Sequence, residues 1–456
     1  MQASVAQRVE RRGAHLTVRV EGARALLYDR RDHRYRALSS SEAFLLIAST
    51  EVAIDDAHAL LSSRVGADDA LVARASLAAR DVFDDGRFTG RVVELAPIAG
   101  AWASPLVCHL GLTLACNFSC AHCYSSSGKR AKGELTKGEI CALVDELARI
   151  GCMKLVLGGG EPFVRKDLAA IVAHAHGAGV DTFVHTNGSL VDEETLRDLS
   201  RAPPAGLAVS LDGPDDETND RVRGAGALER ARAGLALLRA HYAPGFHVSF
   251  TVTPTNADTT DAMVDVARAE GAKLLLLRPA YPAGEAKDDQ ALVCDRDTFK
   301  RAIDRARRRA DEIGLALDAP HPDDAGEPDF EGFGCVAARV VMGVSPTGDV
   351  TPCLNLPESF LSGNVRRAPV DVLWRGGAFS TLREVVPNAQ CDTCRHYDTC
   401  RGGCRVRALH VGHALDGPDS WCHYEPRDDV DEETRARVLA AAPPSPKGRA
   451  ALRVLA

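Results

Sequence analysis

Apolar and polar positions follow strand-like and helical patterns in turn along the chain. Residues 14 to 37 read as three short strands, HLTVRV, ARALLYD and HRYRAL, broken at Glu21-Gly22 and Arg30–Asp32. Ser39 and Glu42 then stand at capping-box spacing ahead of AFLLIAS, a helix start. Two more helical patterns follow, AIDDAHALLSSR and DALVARASLAARDVF, and the unit closes near Asp85. Residues 86 to 104, with several Gly, Pro and Ala, read as a linker. From 105 to about 316, strand and helix alternate. VCHLGLTLA, KLVLGG, DTFVHT, GLAVSLD, FHVSFTVTP and KLLLLRP are the strands, with helices such as KGEICALVDELARI, DLAAIVAHAHGA and LERARAGLALLRAHY between them. Six such units predict an α/β parallel sheet with right-handed crossovers, doubly wound or a partial barrel. In either, sites collect at the C-terminal ends of the strands.

After about 320 the regularity fails, and Pro, Gly and Cys dominate. Metal clusters can stand in for a missing core there. The tail from 427 predicts no fold of its own. Composition narrows the picture further: 456 residues imply two to four domains, and 45% hydrophobic with 26% charged residues suits a soluble globular chain. A net charge of −8 without a basic block predicts neither nucleic acid nor an anionic membrane as partner. The N-terminus lacks the apolar stretch of a signal peptide, so the expected location is the cytoplasm. There the 14 cysteines point to metal or catalysis rather than disulfides. Three lie between 116 and 123 and seven between 335 and 422, while Cys108, Cys141, Cys152 and Cys294 read mostly as small buried hydrophobes.

Cys116, Cys120 and Cys123, with Tyr124 next, follow directly from the first strand of the alternating region. Three thiolates at this spacing can wrap one cubane cluster and leave its fourth iron open, as a catalytic cluster needs. A zinc site is the competing reading, with His122 as fourth ligand. CxxxCxxC followed by an aromatic resembles the radical S-adenosylmethionine (SAM) superfamily. That resemblance implies that the open iron binds the amino and carboxylate groups of SAM. Gly158, Gly159, Gly160, Glu161 and Pro162 resemble the family's GGEP segment, which holds the methionine amino group. Asn187, after the third strand, and Asp212, after the fourth, lie in segments similar to the family's strand ends near the cofactor. Ser210 is the candidate for a ribose or carboxylate contact and Arg223 for a bidentate carboxylate pair. Arg278 reads equally well as a surface salt bridge. The resemblance covers residues 105–316 and implies a partial (β/α)6 barrel.

Downstream come Cys335, Gly348, Cys353, then Cys391-x2-Cys394-x5-Cys400-x3-Cys404, and Cys422. Cys391-x2-Cys394 alone would suggest a zinc ribbon. The series as a whole resembles the seven-cysteine signature of the SPASM domain, expected over residues 325–426. The resemblance implies two auxiliary 4Fe-4S clusters: Cys391, Cys394, Cys400 and Cys422 on the outer one, and Cys335, Cys353 and Cys404 on the inner one. Three clusters would then leave two irons without a cysteine. One takes SAM. The other lies on the inner cluster, where we expect an open iron, with Cys294 and Asp329 as the alternative donors.

Residues 1–90 resemble the winged-helix-like module that recognises leader peptides in makers of ribosomal peptide natural products. It is similar to the peptide chaperone of pyrroloquinoline quinone synthesis. In that family the leader adds a strand to the module's sheet edge. The resemblances together imply an enzyme that cleaves SAM reductively, removes a substrate hydrogen and installs a thioether, carbon–carbon or ether cross-link in a precursor peptide. Its electrons would come from an external flavodoxin- or ferredoxin-type reductant. Alternatives are maturation of a folded protein, tailoring of a tetrapyrrole, or an iron–sulfur sensor using the N-terminal module on DNA.

Overall fold

The computed structural model describes residues 6–8, 15–320, 335–386 and 388–441. Strand β1 (Ala6–Arg8) is followed by an antiparallel meander of β2 (Leu16–Glu21), β3 (Arg24–Asp29) and β4 (Arg34–Leu38). Helices α1 (Ser40–Ala48), α2 (Ile54–Val65) and α3 (Ala67–Ala78) cover one face, burying Leu16, Val18, Leu27, Leu45, Leu61 and Leu77. The capping box forms as expected: Glu42 N–H donates to Ser39 Oγ at 3.2 Å and Ser39 N–H to Glu42 Oε2 at 2.7 Å. The linker reading needs correction. Residues 91–94 form β5 (Arg91–Glu94), which slots between β1 and β2 and pairs parallel to β2. Four residues carry too little alternation to announce a strand, and only the long-range pairing makes one.

Six parallel strands lie where the alternation placed them: β6 (Val107–Thr113), β7 (Lys154–Gly159), β8 (Asp181–Thr186), β9 (Gly206–Ser210), β10 (His247–Val252) and β11 (Leu274–Pro279). A short β12 (Ala316–Asp318) adds to β11. The helices between them are α4 (Lys137–Arg149), α5 (Leu168–Gly177), α6 (Glu193–Leu199), α7 (Asp216–Arg223), α8 (Ala227–His241), α9 (Thr260–Ala269) and α10 (Arg296–Ile313). Strand order runs from β6 to β12 without reversal, which excludes the doubly wound alternative and leaves the partial barrel. Alternate residues such as Leu110, Leu157, Val184, Val248 and Leu277 are buried in the outer core. The intervening His109, Val156, His185, Ser210, Ser249 and Arg278 are only half-buried and line the concave side.

The C-terminal region departs from expectation in sharing the barrel's hydrophobic core. Strand β13 (Val341–Val344) pairs parallel with β6, and β14 (Asp349–Thr351) and β15 (Gly363–Asn364) extend the same sheet to ten strands. Helices α11 (Val370–Arg375) and α12 (Gly377–Arg383) bury Val370, Leu373, Trp374 and Phe379 in the main hydrophobic cluster. Trp374 Nε1–H also donates to Trp102 O at 2.8 Å. Three short helices follow, α13 (Ala389–Asp392), α14 (Tyr397–Cys400) and α15 (Arg405–His410); Cys391 and Cys400 lie in the first two, and Cys394, Cys404 and Cys422 in the loops beside them. The tail is likewise corrected: it forms α16 (Glu432–Ala441), with Val438 buried.

The N-terminal unit is docked against the N-terminal ends of the barrel strands, opposite the strand ends where sites collect. Asp181, the first residue of β8 and 5% exposed, accepts from Tyr28 Oη–H (2.6 Å) and Arg30 Nε–H (2.9 Å) and meets His33 Nδ1 at 2.6 Å. Fully buried Arg19 bonds Glu21 (2.7 Å), Gly151 O (3.1 Å) and Ser104 O (2.8 Å). Between these polar ties, Leu26, Tyr28, Trp102, Leu106, Met153 and Val340 share one small core.

Candidate active site and auxiliary cysteine groups

The three motif cysteines sit in a loop leaving β6 at its C-terminal end. Glu134 holds that loop: its carboxylate accepts from Thr113 Oγ1–H (2.9 Å), Leu114 N–H (2.8 Å) and Ala131 N–H (3.0 Å). Cys116 Sγ lies 3.4 Å from Phe118 N and 3.9 Å from Asn187 Nδ2. Cys123 Sγ lies 3.4 Å from Ser127 N and 3.5 Å from Ser125 Oγ. Arg223 Nη1 approaches Cys120 Sγ at 4.0 Å. Burial pushes the Cys116 thiol up and the Cys120 thiol to about 11, with Cys123 close enough to add to both. These N–H groups and the guanidinium are arranged to stabilise sulfur as thiolate, the form that binds iron.

Beside the cysteines, β7 ends in backbone that only glycine can form. Gly159 has φ +107°, and a Cβ there would stand 2.6 Å from Thr113 O; at Gly160 it would stand 2.2 Å from Ala115 O. Glu161 is fully buried, and its carboxylate accepts from Phe163 N–H (2.9 Å), Thr186 Oγ1–H (2.7 Å) and Asn187 N–H (2.7 Å). Its side chain therefore ties the ends of β7 and β8 together. Burial raises its pKa despite those donors, making it a weaker acid than an ordinary glutamate. Asn187 is held by Asn117 Oδ1 (2.9 Å) and by Ser189, whose N–H and hydroxyl donate to Oδ1 at 2.9 and 2.6 Å.

Asp212 and Arg223 form a buried pair, with Arg223 Nε 2.7 Å from Asp212 Oδ2. His122 Nε2 reaches the same oxygen at 2.7 Å, so the imidazole that the zinc reading needed is turned to a carboxylate. The contacts are close but poorly aligned as hydrogen bonds, making this a charge cluster first. Burial would push Asp212 up, yet Arg223 and His122 hold it down at about 2. Ser210 lies half-buried at the end of β9 on the concave side. Arg278 instead bonds Asp318 Oδ2 at 2.9 Å near the surface.

The seven downstream thiols separate into two groups by their mutual electrostatics. Burial raises Cys353 to about 12 and Cys404 to about 11, and Cys335 adds to both. Burial raises Cys422 to about 12, with Cys391, Cys400 and Cys394 adding to it. Cys294 joins neither. Its side chain is 2% exposed, points to Val252 O at 3.8 Å and packs in the barrel core. Asp329 lies outside the described residues. Tyr124, 38% exposed, lies between the sites: desolvation raises its hydroxyl, and Cys123 and Cys353 both act in the same direction. Sequence reasoning missed Glu134, Ser125 and Gly284, whose φ is +58° and whose Cβ position would lie 2.2 Å from Cys123 O. Only the folded loops bring these residues together.

Residues 110–267 match the model of the radical SAM superfamily, and residues 335–401 match an iron–sulfur cluster-binding domain called SPASM. The chain is 34% identical over 340 residues to mycofactocin maturase MftC of Mycobacterium tuberculosis (strain CDC 1551 / Oshkosh), covering 73% of this chain and 85% of that protein. It is 31% identical over 336 residues to an AdoMet-dependent heme synthase of Methanosarcina barkeri (strain Fusaro / DSM 804), covering 69% and 95%. Its fold matches Streptococcus suis SuiB bound to the precursor peptide SuiA with a TM-score of 0.72 at 15% identity, over 91% of this chain and 100% of that one.

Proposed function

The chain belongs to the radical SAM enzymes that carry a SPASM domain, and from that premise we propose that it modifies a ribosomally made precursor peptide. S-adenosylmethionine and 4Fe-4S clusters are its cofactors, and we infer three clusters from the three cysteine groups. When bound, SAM and the first cluster supply the radical that removes a hydrogen atom from the substrate. The chain's own residues prepare the site for this. Cys116, Cys120 and Cys123 would hold the first cluster, and the glycine turn of β7 lets backbone approach the cofactor. Glu161 and Asn187 fix the neighbouring strand ends, while Ser210 and the Arg223–Asp212 ion pair would face the cofactor. Cys335, Cys353 and Cys404 would hold the inner auxiliary cluster, and Cys391, Cys394, Cys400 and Cys422 the outer.

The observation carrying the peptide reading is the extent of the fold match. The 9% of this chain left uncovered is smaller than the N-terminal unit, so part of that unit has a counterpart in a peptide-binding enzyme. In that unit β1 and β4 are the two outer strands among the described residues, and β4, the longer, has an edge for an added strand. We infer that the leader pairs there. The core segment must then travel past the barrel, about 20 Å for a six-residue strand. A flavodoxin- or ferredoxin-type protein would supply electrons, in the cytoplasm, where the fourteen thiols stay reduced. No helix among the described residues is long and apolar enough to cross a membrane.

The heme synthase relative favours tetrapyrrole tailoring as a second reading. The test is anaerobic reconstitution with SAM and dithionite, followed by incubation with a candidate precursor peptide or with an iron tetrapyrrole. We expect deoxyadenosine and a peptide lighter by two hydrogens, as a cross-link requires. A tetrapyrrole product with an unchanged peptide would overturn the proposal. The Cys116→Ala/Cys120→Ala/Cys123→Ala variant should lose about a third of the iron and all SAM cleavage. Full cleavage by that variant would defeat the site assignment.

A further inference from the structure

Cys400 belongs to the outer thiol group and Cys404 to the inner one, so the run Cys400-Arg401-Gly402-Gly403-Cys404-Arg405 is the shortest covalent path between them. Its backbone is unusual. Arg401, Gly402 and Gly403 have φ of +51°, +85° and +73°, three left-handed residues in succession. This coil folds the guanidinium of Arg405 back over Gly402, where an added Cβ would lie 2.7 Å from Arg405 Nη2.

Arg405 is 5% exposed. Its Nε–H donates to Gly403 O at 3.2 Å, and Nη1–H to Leu415 O at 2.8 Å and Gly417 O at 2.7 Å. Its Nη2 is buried with no hydrogen-bond partner among the described residues. The nearby carboxylate, Asp419, is engaged instead by Arg407 and by the N–H of Cys404 and Trp421. A guanidinium keeps its charge, and a buried charge met only by carbonyls leaves a large unbalanced cost. On one side Arg405 lines a small cavity with Cys335, Arg339, Tyr397 and Arg401. On the other it follows Cys404 directly and lies over Gly402 in the link that leads back to Cys400. Clusters held by cysteine thiolates are the missing negative partners, and the orphaned N–H fits sulfur as its acceptor.

We propose that Arg405 is a charge shared by the two auxiliary sites, offsetting the negative charge of the sulfur-ligated groups on both sides and donating its free N–H to a cluster sulfur. This rests on the reading that the two thiol groups bind clusters. Charge and hydrogen bonding at the sulfurs set such a cluster's reduction potential. Arg405 is thus a positioning and tuning residue that touches no substrate.

The test uses reconstituted protein carrying the three-alanine change at Cys116, Cys120 and Cys123, so that only auxiliary signals remain. Iron content is measured first, then an EPR-monitored redox titration. In Arg405→Gln, at the potential where the parent's auxiliary signal is half reduced, we expect the reduced-to-oxidised ratio to fall about tenfold, equivalent to about 59 mV for one electron. Arg405→Lys, which keeps the charge without the planar fork, should recover most of that loss. An unmoved titration in a fully iron-loaded Arg405→Gln protein would show that the side chain only staples the loop. If Arg405→Gln loses iron, Arg405→Lys decides: a titration near the parent's supports the proposal, and a tenfold fall or lost iron overturns it. A parent protein without auxiliary iron would instead defeat the cluster assignment.

Discussion

Replacing Asp181 by alanine tests whether the N-terminal unit is a docked part of the barrel or a loosely tethered module. The carboxylate is 5% exposed and holds Tyr28, Arg30 and His33 within 2.6–2.9 Å. Removing it leaves the Arg30 side chain, 12% exposed, beside an empty site with no counter-charge. Breaking a buried pair by deleting one partner costs on the order of 3–5 kcal/mol, and the half-wet His33 places this case at the lower end, about 3 kcal/mol. That corresponds to roughly a hundredfold rise in the undocked population. Hydrogen exchange at the amides of residues 24–38 reads that population directly, because the β3–β4 hairpin carries all three donors. Burial would raise the Asp181 carboxyl, but His33, Tyr28 and Arg30 hold it below its ordinary value. Its contribution is therefore present above the unfolded carboxylate range and fades as pH falls below it. The expected result is faster exchange confined to the unit and its interface, with Asp181→Ala and His33→Ala non-additive in combination. Unchanged exchange, or strictly additive effects, would refute the docking account.

Cys294→Ala should keep its iron and auxiliary spectra and lose only about 1 kcal/mol of stability, because the side chain packs beside Val252 in the core. Loss of one cluster's signal would make it a ligand and close the inner site. Burial holds the imidazoles of His109 and His185 at about 4, so the unfolded chain takes up their protons first as pH falls from about 6.5 to 4. Stability should drop across that window by on the order of 1–3 kcal/mol per imidazole, and urea unfolding of His185→Phe should show a shallower slope; equal slopes would contradict the burial argument.

Much of this molecule was legible before folding. Period-two runs separated by helical runs placed β6 to β11 within a residue or two, since each strand is buried on one face and that face needs alternation. The cysteine spacing likewise marked a first group of three and a downstream run of seven, because ligands on one loop must keep a spacing that a cluster dictates, while only the resemblance divided the seven. The capping box at Ser39 and Glu42 was visible because it involves neighbours along the chain.

What the sequence left open involves partners distant along the chain. Strand β5 exists only because β1 and β2 flank it, and β13 only because β6 presents a free edge. The roles of the acids were decided the same way. Glu161 reads as a cofactor contact in its motif, yet its carboxylate is consumed by β8, and Asp212 is claimed by His122 and Arg223. Local periodicity reports which face of an element is buried, whereas these pairings depend on which surfaces meet after the chain has folded. The placement of Arg405 belongs to that second class: CRGGCR names its residues, and only the left-handed coil folds its guanidinium back over Gly402.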